Sequence, residues 1–423
     1  MKSLTFLFVF LGLPAWLVAQ QLHLDAEIRP RTEYAHGLKT LADKNQDPGF
    51  FTTQRTRIGL LFQDKRIQSR IMLQDVRTWG NQPQLVSNED KATSIHEAWF
   101  RMALDTLDRW HLKGGRQEII YDDQRMFGNV GWAQQARSHD AFLLQYQQNR
   151  TRMDIGLAFN QPKSQLTSTY YDIPGNYKTL QYLWFHQGLS PTLDMSLLFI
   201  NQGLQVSNST ASKTRFNQTA GTHLNYQKNK WKVTLRGYLQ FGDAPVFDER
   251  NLGAWMHGLD ITYRAGKYWN PTLGYEVLSG NDPDKAGKQG AFTPFFGTNH
   301  KFNGHMDYFY VGNHLNSTGL IDLYLKTVFP LEKTKLGVNI HHFRSQQAIP
   351  DPGGPSKKLS KSLGTELDLS VTHQINAMAS VQAGYSQMFG TSTMEILKGG
   401  NKDATSNWFY VMFTVKPGFS LMR

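Results

Sequence analysis

The stretch Gln21–Arg31 reads QLHLDAEIRPR, and its apolar and polar residues alternate. One set comprises Leu22, Leu24, Ala26 and Ile28, and the other comprises His23, Asp25, Glu27, Arg29 and Arg31. Because successive side chains of a β-strand point to opposite sides, this alternation predicts a strand with one apolar and one polar face. A soluble sheet buries its apolar face, whereas a membrane β-barrel turns that face towards lipid and the polar face towards a wet lumen.

The same alternation recurs along the chain, and its length favours the membrane barrel. It is present around residues 67–74, 335–341, 366–371 and 379–386. Runs of about ten residues are what a tilted strand needs to cross a bilayer, whereas ordinary strands are nearer about five or six. Tryptophans fall mostly near the predicted strand ends, where membrane interfaces collect aromatic side chains.

The connections between these runs alternate in length. Tight polar turns are predicted at Gln63–Lys65, Asp105–Asp108, Gln148–Arg150, Gly188–Pro191, Gln227–Lys230, Ala265–Lys267, Leu331–Thr334 and His373–Asn376. Longer loops are predicted at Tyr34–Gly49, Thr78–Thr93, Glu118–Arg137, Gln161–Asn176, Gln205–Thr214, Asp243–Gly253, Ser279–Thr318, Gln346–Lys361 and Gly390–Ser406. This pattern predicts an all-β transmembrane antiparallel barrel of about eighteen strands, with short periplasmic turns and long extracellular loops.

The N-terminus has the features of a secretory signal peptide. Lys2 is followed by an apolar segment at 4–13, Pro14 interrupts that segment, and residues 17–20 offer a small-residue cleavage point. No uninterrupted apolar run of about 18 residues follows that could form a membrane helix. We therefore expect a signal peptide at residues 1–20 and one barrel at residues 21–423, in the outer membrane of a Gram-negative bacterium.

Basic side chains are the candidate functional residues, since the 423-residue chain carries a net charge of +11. The predicted pore-lining residues are Arg29, Arg31, Arg55, Arg57, Arg70, Arg77, Arg101, Arg116, Arg125 and Arg137, supported by the carboxylates of Glu97, Glu118, Asp122 and Asp123. An arginine facing lipid near the midplane costs about 2–4 kcal/mol, so these side chains are expected to point inward. Rings of such cations select anions in pores, and a guanidinium can bind both oxygens of a carboxylate. The alternative is that they are internal salt-bridge struts that hold the wall open.

Motifs of enzymes are weak or missing. The sequence has no Gly-x-Ser-x-Gly elbow, phosphate-binding loop or His-Glu-x-x-His motif, and it has no cysteine. His341 and His342 would point to opposite faces of one strand, so they could not share a metal ion. We therefore predict no catalytic residues, no metal, no cofactor and no nucleic-acid partner.

Several motifs resemble those of the alginate-export family of outer-membrane porins. The strongest are GRQEIIYDDQRMFG at residues 115–128 and WAQQARSHD at 132–140. Further similar stretches lie at 54–57, 73–80, 96–99, 297–302 and 306–313, so the resemblance covers nearly the whole mature chain. It implies an eighteen-stranded barrel with a positively charged pore that passes anionic polyuronate. Some members of the family gate the pore with a long periplasmic turn.

All eight turns of this chain are short, so we expect instead that Glu118–Arg137 or Ser279–Thr318 folds into the barrel. The chain also continues past Phe413 to Arg423, whereas many such barrels end on an aromatic residue. The sequence thus predicts a passive outer-membrane channel for anionic oligo- or polysaccharide. The alternatives are a porin for other small solutes and a plugged structural or adhesin barrel that acts through its outer loops. The expected partners are the anionic solute and outer-membrane lipid, with periplasmic partners left open.

Overall fold

The computed structural model describes residues 20–422 except 83, 85–92, 169–172, 174, 208–211, 247–249, 286, 311–312 and 315–316. The predicted signal peptide therefore lies outside the described residues, apart from Gln20. No helix in the described part of the chain is long and apolar enough to cross a membrane.

The first thirteen strands follow one another along the chain. They are β1 (Gln21–His36), β2 (Gly49–Gln63), β3 (Ile67–Thr78), β4 (Thr93–Ala103), β5 (Trp110–Gln117), β6 (His139–Gln148), β7 (Thr151–Phe159), β8 (Thr179–Ser190), β9 (Leu193–Ser207), β10 (Ser212–Lys228), β11 (Trp231–Asp243), β12 (Asn251–Tyr263) and β13 (Asn270–Leu278). The remaining elements are β14 (Lys288–Gln289), a 3₁₀ turn (Asn299–Lys301), β15 (Leu320–Leu331), β16 (Thr334–Arg344), β17 (Pro350–Asp351), β18 (Gly354–Lys358), β19 (Ser362–Gln374), β20 (Ala379–Gly390), α1 (Ser392–Lys398), β21 (Ser406–Val415) and β22 (Gly418–Met422).

The strands close into one antiparallel barrel. Each barrel strand pairs with the next, and β1 pairs with β2 on one side and with both β21 and β22 on the other. The segments β21 and β22 form one strand interrupted at residues 416–417, which carries the pairing past Phe413 to Met422. The strands β14, β17 and β18 belong to the loops, so the barrel has eighteen strands. This confirms the predicted fold class and strand number.

Both ends of the described chain lie at the rim of the short turns. Gln21 is the register partner of both Gln63 and Met422, beside the turn between β2 and β3. We call this the short-turn rim; in outer-membrane barrels it faces the periplasm. The opposite rim carries the long loops.

The two faces of the wall differ as the alternation predicts. On β1 and β2, Ile28 and Ile58 are 46% and 50% exposed on the outer face, whereas Arg29 and Arg55 on the inner face are 7% and 4% exposed. The outer apolar side chains suit a lipid environment. The interface position predicted for tryptophan holds for exposed Trp79, Trp231 and Trp269, but Trp184 and Trp408 are buried in the interior.

The core of the molecule lies inside the barrel, because two long loops fold into the lumen. We call residues 118–138 segment A and residues 290–309 segment B. Both loops that the sequence offered as alternatives therefore enter the lumen. Segment A contributes Phe127, and segment B contributes Met306 and Tyr308, all three fully buried.

Backbone hydrogen bonds join the two segments. Gly128 N donates to Phe296 O at 2.8 Å, and Thr298 N donates to Gln124 O at 2.9 Å. A Cβ atom on Gly128 would lie 2.3 Å from Thr298 Oγ1, so this close approach requires glycine. The two segments therefore pack as one body within the long-loop half of the barrel.

Candidate functional site

Arg29 and Arg31 face the lumen, as predicted, and both bind the backbone of segment A. The Arg29 guanidinium donates to Gly131 O at 2.7 Å and to Trp132 O at 3.1 Å, and also to the Gln134 side chain at 2.9 Å. Arg31 donates to Trp132 O at 2.9 Å and lies over the Trp132 ring at 4.4 Å. These two arginines therefore hold the inserted loop against the wall.

Arg55 and Arg57 on β2 also face inward and are occupied by protein groups. Arg55 forms an ion pair with Glu27 and donates to Gly131 O at 3.3 Å. Arg57 donates to Gln74 Oε1 at 2.8 Å and lies 3.9 Å from a Glu118 carboxylate oxygen. Each guanidinium therefore has acceptors in the wall or in segment A.

Arg70 and Arg101 line the lumen closer to the short-turn rim. Arg70 binds Asp25 and Glu97, each with an N–O distance of 2.9 Å. Arg101 donates to Gln145 Oε1 at 3.1 Å. None of these three interactions involves the inserted segments, so Arg70 and Arg101 are bound within the wall itself.

Arg125 and Arg137 connect segment A to segment B. Arg125 is almost fully buried and donates to Glu276 on β13 at 2.5 Å and to Asn299 and Asn303 at 3.0 and 3.1 Å. Arg137 donates to Gly297 O at 3.1 Å. Burial lowers the pKa of Arg137 from its ordinary value.

Two of the predicted pore residues do not face the lumen. Arg77 lies on the outer face with Ile71 and Leu73 and forms an ion pair with Asp75 at 2.6 Å. Arg116 pairs in register with Asp140 and binds it at 2.8 Å, also on the outer face.

The inward positions of β5 run through Lys113, Gly115 and Gln117, so the prediction for Arg116 is wrong by one residue of parity. The prediction for Arg77 is also wrong, because Arg77 is an even number of residues from Ile71 and Leu73 on β3 and therefore lies on the same outer face. Both arginines lie near the long-loop rim, where the cost of an outward charge falls to about 0–1 kcal/mol.

The predicted carboxylates lie inside the barrel. Glu97 binds Arg70, and Glu118 accepts hydrogen bonds from His96 and Asn129, both at 2.8 Å. Burial opposes ionisation of Glu118, but these hydrogen bonds and the charge of Arg57 outweigh it, so its pKa lies below the ordinary value. Glu118 is therefore held as a carboxylate at the start of segment A.

Asp122 and Asp123 differ in their surroundings. Burial raises the pKa of Asp122, whose carboxylate accepts a hydrogen bond from Trp184 Nε1 at 3.2 Å. Burial acts in the same direction on Asp123, but the charges of Arg236 and His223 outweigh it and lower its pKa. Arg236 binds Asp123 at 2.8 Å. Asp123 thus couples segment A to the wall at β11.

A cavity of about 530 Å³ lies between the inserted segments and the wall from β8 to β15. Its charged and histidine side chains are Asp122, Asp123, His186, Asp194, His223, Lys232, Arg236, Asp260, Lys301 and Lys326. Lys232 and Asp194 are each the second residue of their strand, so the cavity lies towards the short-turn rim.

The basic residues of this cavity were not among the predicted pore residues, although the sequence pattern contains part of the signal. On β11, Lys232 and Arg236 alternate with Val233 and Leu235, and on β15 Lys326 follows the outward Leu325. The same parity argument that placed Arg29 in the lumen would have placed these side chains there. Lys301 had no such signal, because it lies in a loop.

The cations of the cavity differ in their partners. Arg236 forms ion pairs with both Asp123 and Asp260. Lys301 donates to the backbone of Asp123 at 2.9 Å, and burial lowers the pKa of Lys301. Among the described residues, no carboxylate lies within salt-bridge distance of Lys232 or Lys326. Two ammonium groups thus face the cavity without an acidic partner.

Comparison with known proteins agrees with this architecture. The sequence model of the alginate export family matches residues 20–394. The chain belongs to the alginate export family. It is therefore an outer-membrane channel protein and not an enzyme. Among the described residues, no three His, Asp or Glu side chains are grouped to hold a metal ion.

Solved structures of porins share the fold of this alginate export family member. OpdK of Pseudomonas aeruginosa, solved with vanillate, has 9% identity and a TM-score of 0.58 over 94% of this chain and 99% of that one. OccAB4 of Acinetobacter baumannii has 10% identity and a TM-score of 0.60 over 94% and 98%. OccK3 of Pseudomonas aeruginosa has 13% identity and a TM-score of 0.58 over 94% and 96%. No curated protein sequence matches this chain.

Proposed function

We propose that this chain is a passive channel for carboxylate-bearing saccharides of the polyuronate type. The observation that carries the proposal is the cavity with Lys232 and Lys326, which have no carboxylate partner among the described residues. An ammonium group in a narrow, water-filled channel with low-dielectric walls attracts anions more strongly than it would in bulk water. Uronate residues carry one carboxylate each, so successive sugars could exchange between the two lysines.

The neighbouring acids do not cancel this attraction. Asp123 and Asp260 are held by Arg236, and Asp194 is paired with Arg150 at 3.2 Å. The pKa of Asp122 is raised by burial. The lysines therefore supply the mobile-solute contacts, while the carboxylates serve the wall and segment A.

The arginines of β1–β3 have a different part in this proposal. Arg29, Arg31 and Arg55 add positive potential to the lumen, and they fix segment A by donating to its carbonyl oxygens. They thus set the width of the route and leave direct solute contact to the lysines. In this proposal segment A narrows the pore, and the arginines hold segment A in place instead of contacting the solute.

The plugged-barrel alternative also has an observation in its favour. Phe127 and Met306 are fully buried, so segments A and B pack tightly within the long-loop half of the lumen. If this packing closes the route, the barrel would act through its outer loops. The two functions differ in conductance, which is present for a channel and absent for a plugged barrel.

Planar-bilayer recording of the purified barrel tests the proposal. In a KCl gradient, the reversal potential of the wild type should show anion preference. The variant Lys232→Gln/Lys326→Gln should shift it towards cation permeability, because two unpaired charges are lost. A control, Lys44→Gln/Lys333→Gln, removes two exposed lysines outside the cavity and should leave selectivity unchanged. Absence of conductance, or the same selectivity in the wild type and the cavity variant, would contradict the proposal.

A further inference from the structure

Two neighbouring turns at the short-turn rim form a basic and aromatic surface that the channel function does not use. They join β10 to β11 and β12 to β13. Residues 226–235 and 261–275 contain no Asp or Glu. The exposed cations are Lys228, Lys230, Arg264 and Lys267, and the neighbouring rings are Tyr226, Trp231, Tyr263, Tyr268 and Trp269. We call these nine residues the rim patch.

The two turns lie against each other. Arg264 N donates to Lys230 O at 2.8 Å, and the rings of Trp231 and Tyr263 contact each other at a centroid distance of 4.7 Å. Lys267 Nζ lies 5.2 Å from the Tyr268 ring centroid, and Lys230 Nζ lies 6.0 Å from that of Tyr263. The cations are therefore gathered around aromatic rings in one place.

The patch is on the outer side of the wall. Trp231 pairs in register with Lys228 and Tyr263, and paired residues share a face. Trp231 is 49% exposed and has the same parity as the outward Leu235. Above the patch, Leu235 and Leu273 expose 40% and 65% of their surfaces. From the short-turn rim towards the middle of the wall, the outer face therefore presents cations first, then aromatic rings, and then aliphatic side chains.

Three other basic residues at this rim form ion pairs. Arg109 binds Asp105 at 2.9 Å, Arg150 binds Asp194 at 3.2 Å, and Lys416 binds Glu27 at 3.1 Å. The turn between β15 and β16 places Glu332 next to Lys333. Asp64 likewise precedes Lys65 and Arg66, so the rim patch differs from these turns in having four exposed cations and no acidic residue within its two turns.

We propose that the rim patch binds the headgroups of anionic phospholipids in the periplasmic leaflet. Lysine and arginine side chains donate hydrogen bonds to phosphate oxygens. Tyrosine and tryptophan favour the interface because one part of each ring system is apolar and the other is wet. The apolar surface at Leu235 and Leu273 then contacts the acyl chains. This order of cation, ring and aliphatic side chain follows the order of groups in a phospholipid.

Native mass spectrometry of the intact barrel in detergent tests the proposal. The protein is titrated with phosphatidylglycerol or with phosphatidylethanolamine of the same acyl chains. The wild type should retain phosphatidylglycerol in preference, and high salt should weaken that preference. The variant Lys228→Gln/Lys230→Gln/Arg264→Gln/Lys267→Gln should lose it. Since each cation near an anionic surface strengthens binding about fivefold, removal of four predicts a loss between about fivefold, if one cation contacts the headgroup, and roughly 600-fold, if all four act independently.

A matched variant separates the patch from the overall charge. Lys65→Gln/Arg66→Gln/Lys333→Gln/Lys335→Gln removes four cations elsewhere along the short-turn half and should retain phosphatidylglycerol as the wild type does. Heat-dependent migration in gel electrophoresis confirms that each variant is folded. Equal loss in both variants, or equal retention of the two lipids by the wild type, would overturn the proposal. Displacement of phosphatidylglycerol by soluble polyuronate would also overturn it, because the patch would then collect saccharide.

Discussion

Arg29→Met should release segment A from the wall. Methionine has a similar length but no donor, so the carbonyl oxygens of Gly131 and Trp132 and the Gln134 side chain each lose a donor that now lies 2.7–3.1 Å away. Arg55 and Arg31 remain as donors to the two carbonyl oxygens. The barrel strands keep their own pairing, because none of these hydrogen bonds belongs to the sheet. The expected effect is therefore local to the lumen.

The magnitude follows from the number and type of these hydrogen bonds. A hydrogen bond to a charged group contributes about 1.5–3 kcal/mol, and such terms are not fully additive. Breaking a buried charged arrangement by removing one partner costs about 3–5 kcal/mol. The ratio of inserted to released segment A should therefore fall by a factor of about 100 to about 4000, since about 1.4 kcal/mol corresponds to tenfold.

Two assays on one preparation measure this release. Single-channel conductance should rise, and limited proteolysis should cleave within residues 128–138 of the variant but not of the wild type. Arg101→Met is the matched control, because Arg101 also faces the lumen but binds only Gln145 on the wall among the described residues. If Arg29→Met leaves both conductance and cleavage unchanged, or if Arg101→Met releases segment A equally, the anchoring argument fails.

Three further predictions follow from the lumen. Glu276→Gln removes the charge that pairs with buried Arg125, and breaking such a pair lowers the free energy of unfolding by about 3–5 kcal/mol. The temperature at which the barrel loses the gel mobility of its folded form should therefore fall. Arg116→Gln should leave the reversal potential unchanged, because Arg116 lies on the outer face. His305 lies in segment B, inside the lumen, and burial holds its pKa at about 4, below its ordinary value of 6.5. Between pH 6.5 and about 4, His305 takes up a proton only when segment B has left the lumen, so acid favours the released segment. Conductance should therefore rise as the pH falls through this window, and it should rise less in His305→Asn.

The strand pattern and the lumen face of most arginines could be predicted from the sequence. Alternation at Leu22–Arg31 is a local property, and β1 follows it without a break. The register also continues without a bulge through Gly114 and Gly115, so Arg116 lies on the outer face and not in the lumen as predicted. Counting in steps of two from the inward Lys113 would have corrected that assignment.

The partners of the inward arginines could not be predicted in the same way. Arg29 and Gln134 are separated by 105 residues, and their contact depends on how segment A enters the barrel. The alternation of apolar and polar residues predicts strands and their faces, but it does not predict the conformation of a loop. The anchoring role proposed for these arginines therefore rests on contacts that only the structure gives, whereas the inward position of Lys232 and Lys326 follows from strand parity.

Current block by saccharides tests the central claim most directly. A trimeric uronate and a neutral trisaccharide are added in turn to a single wild-type channel in a planar bilayer. The account predicts that the uronate blocks the current at lower concentration than the neutral sugar, and that Lys232→Gln/Lys326→Gln removes most of this difference. Equal block by the two sugars in the wild type would contradict it.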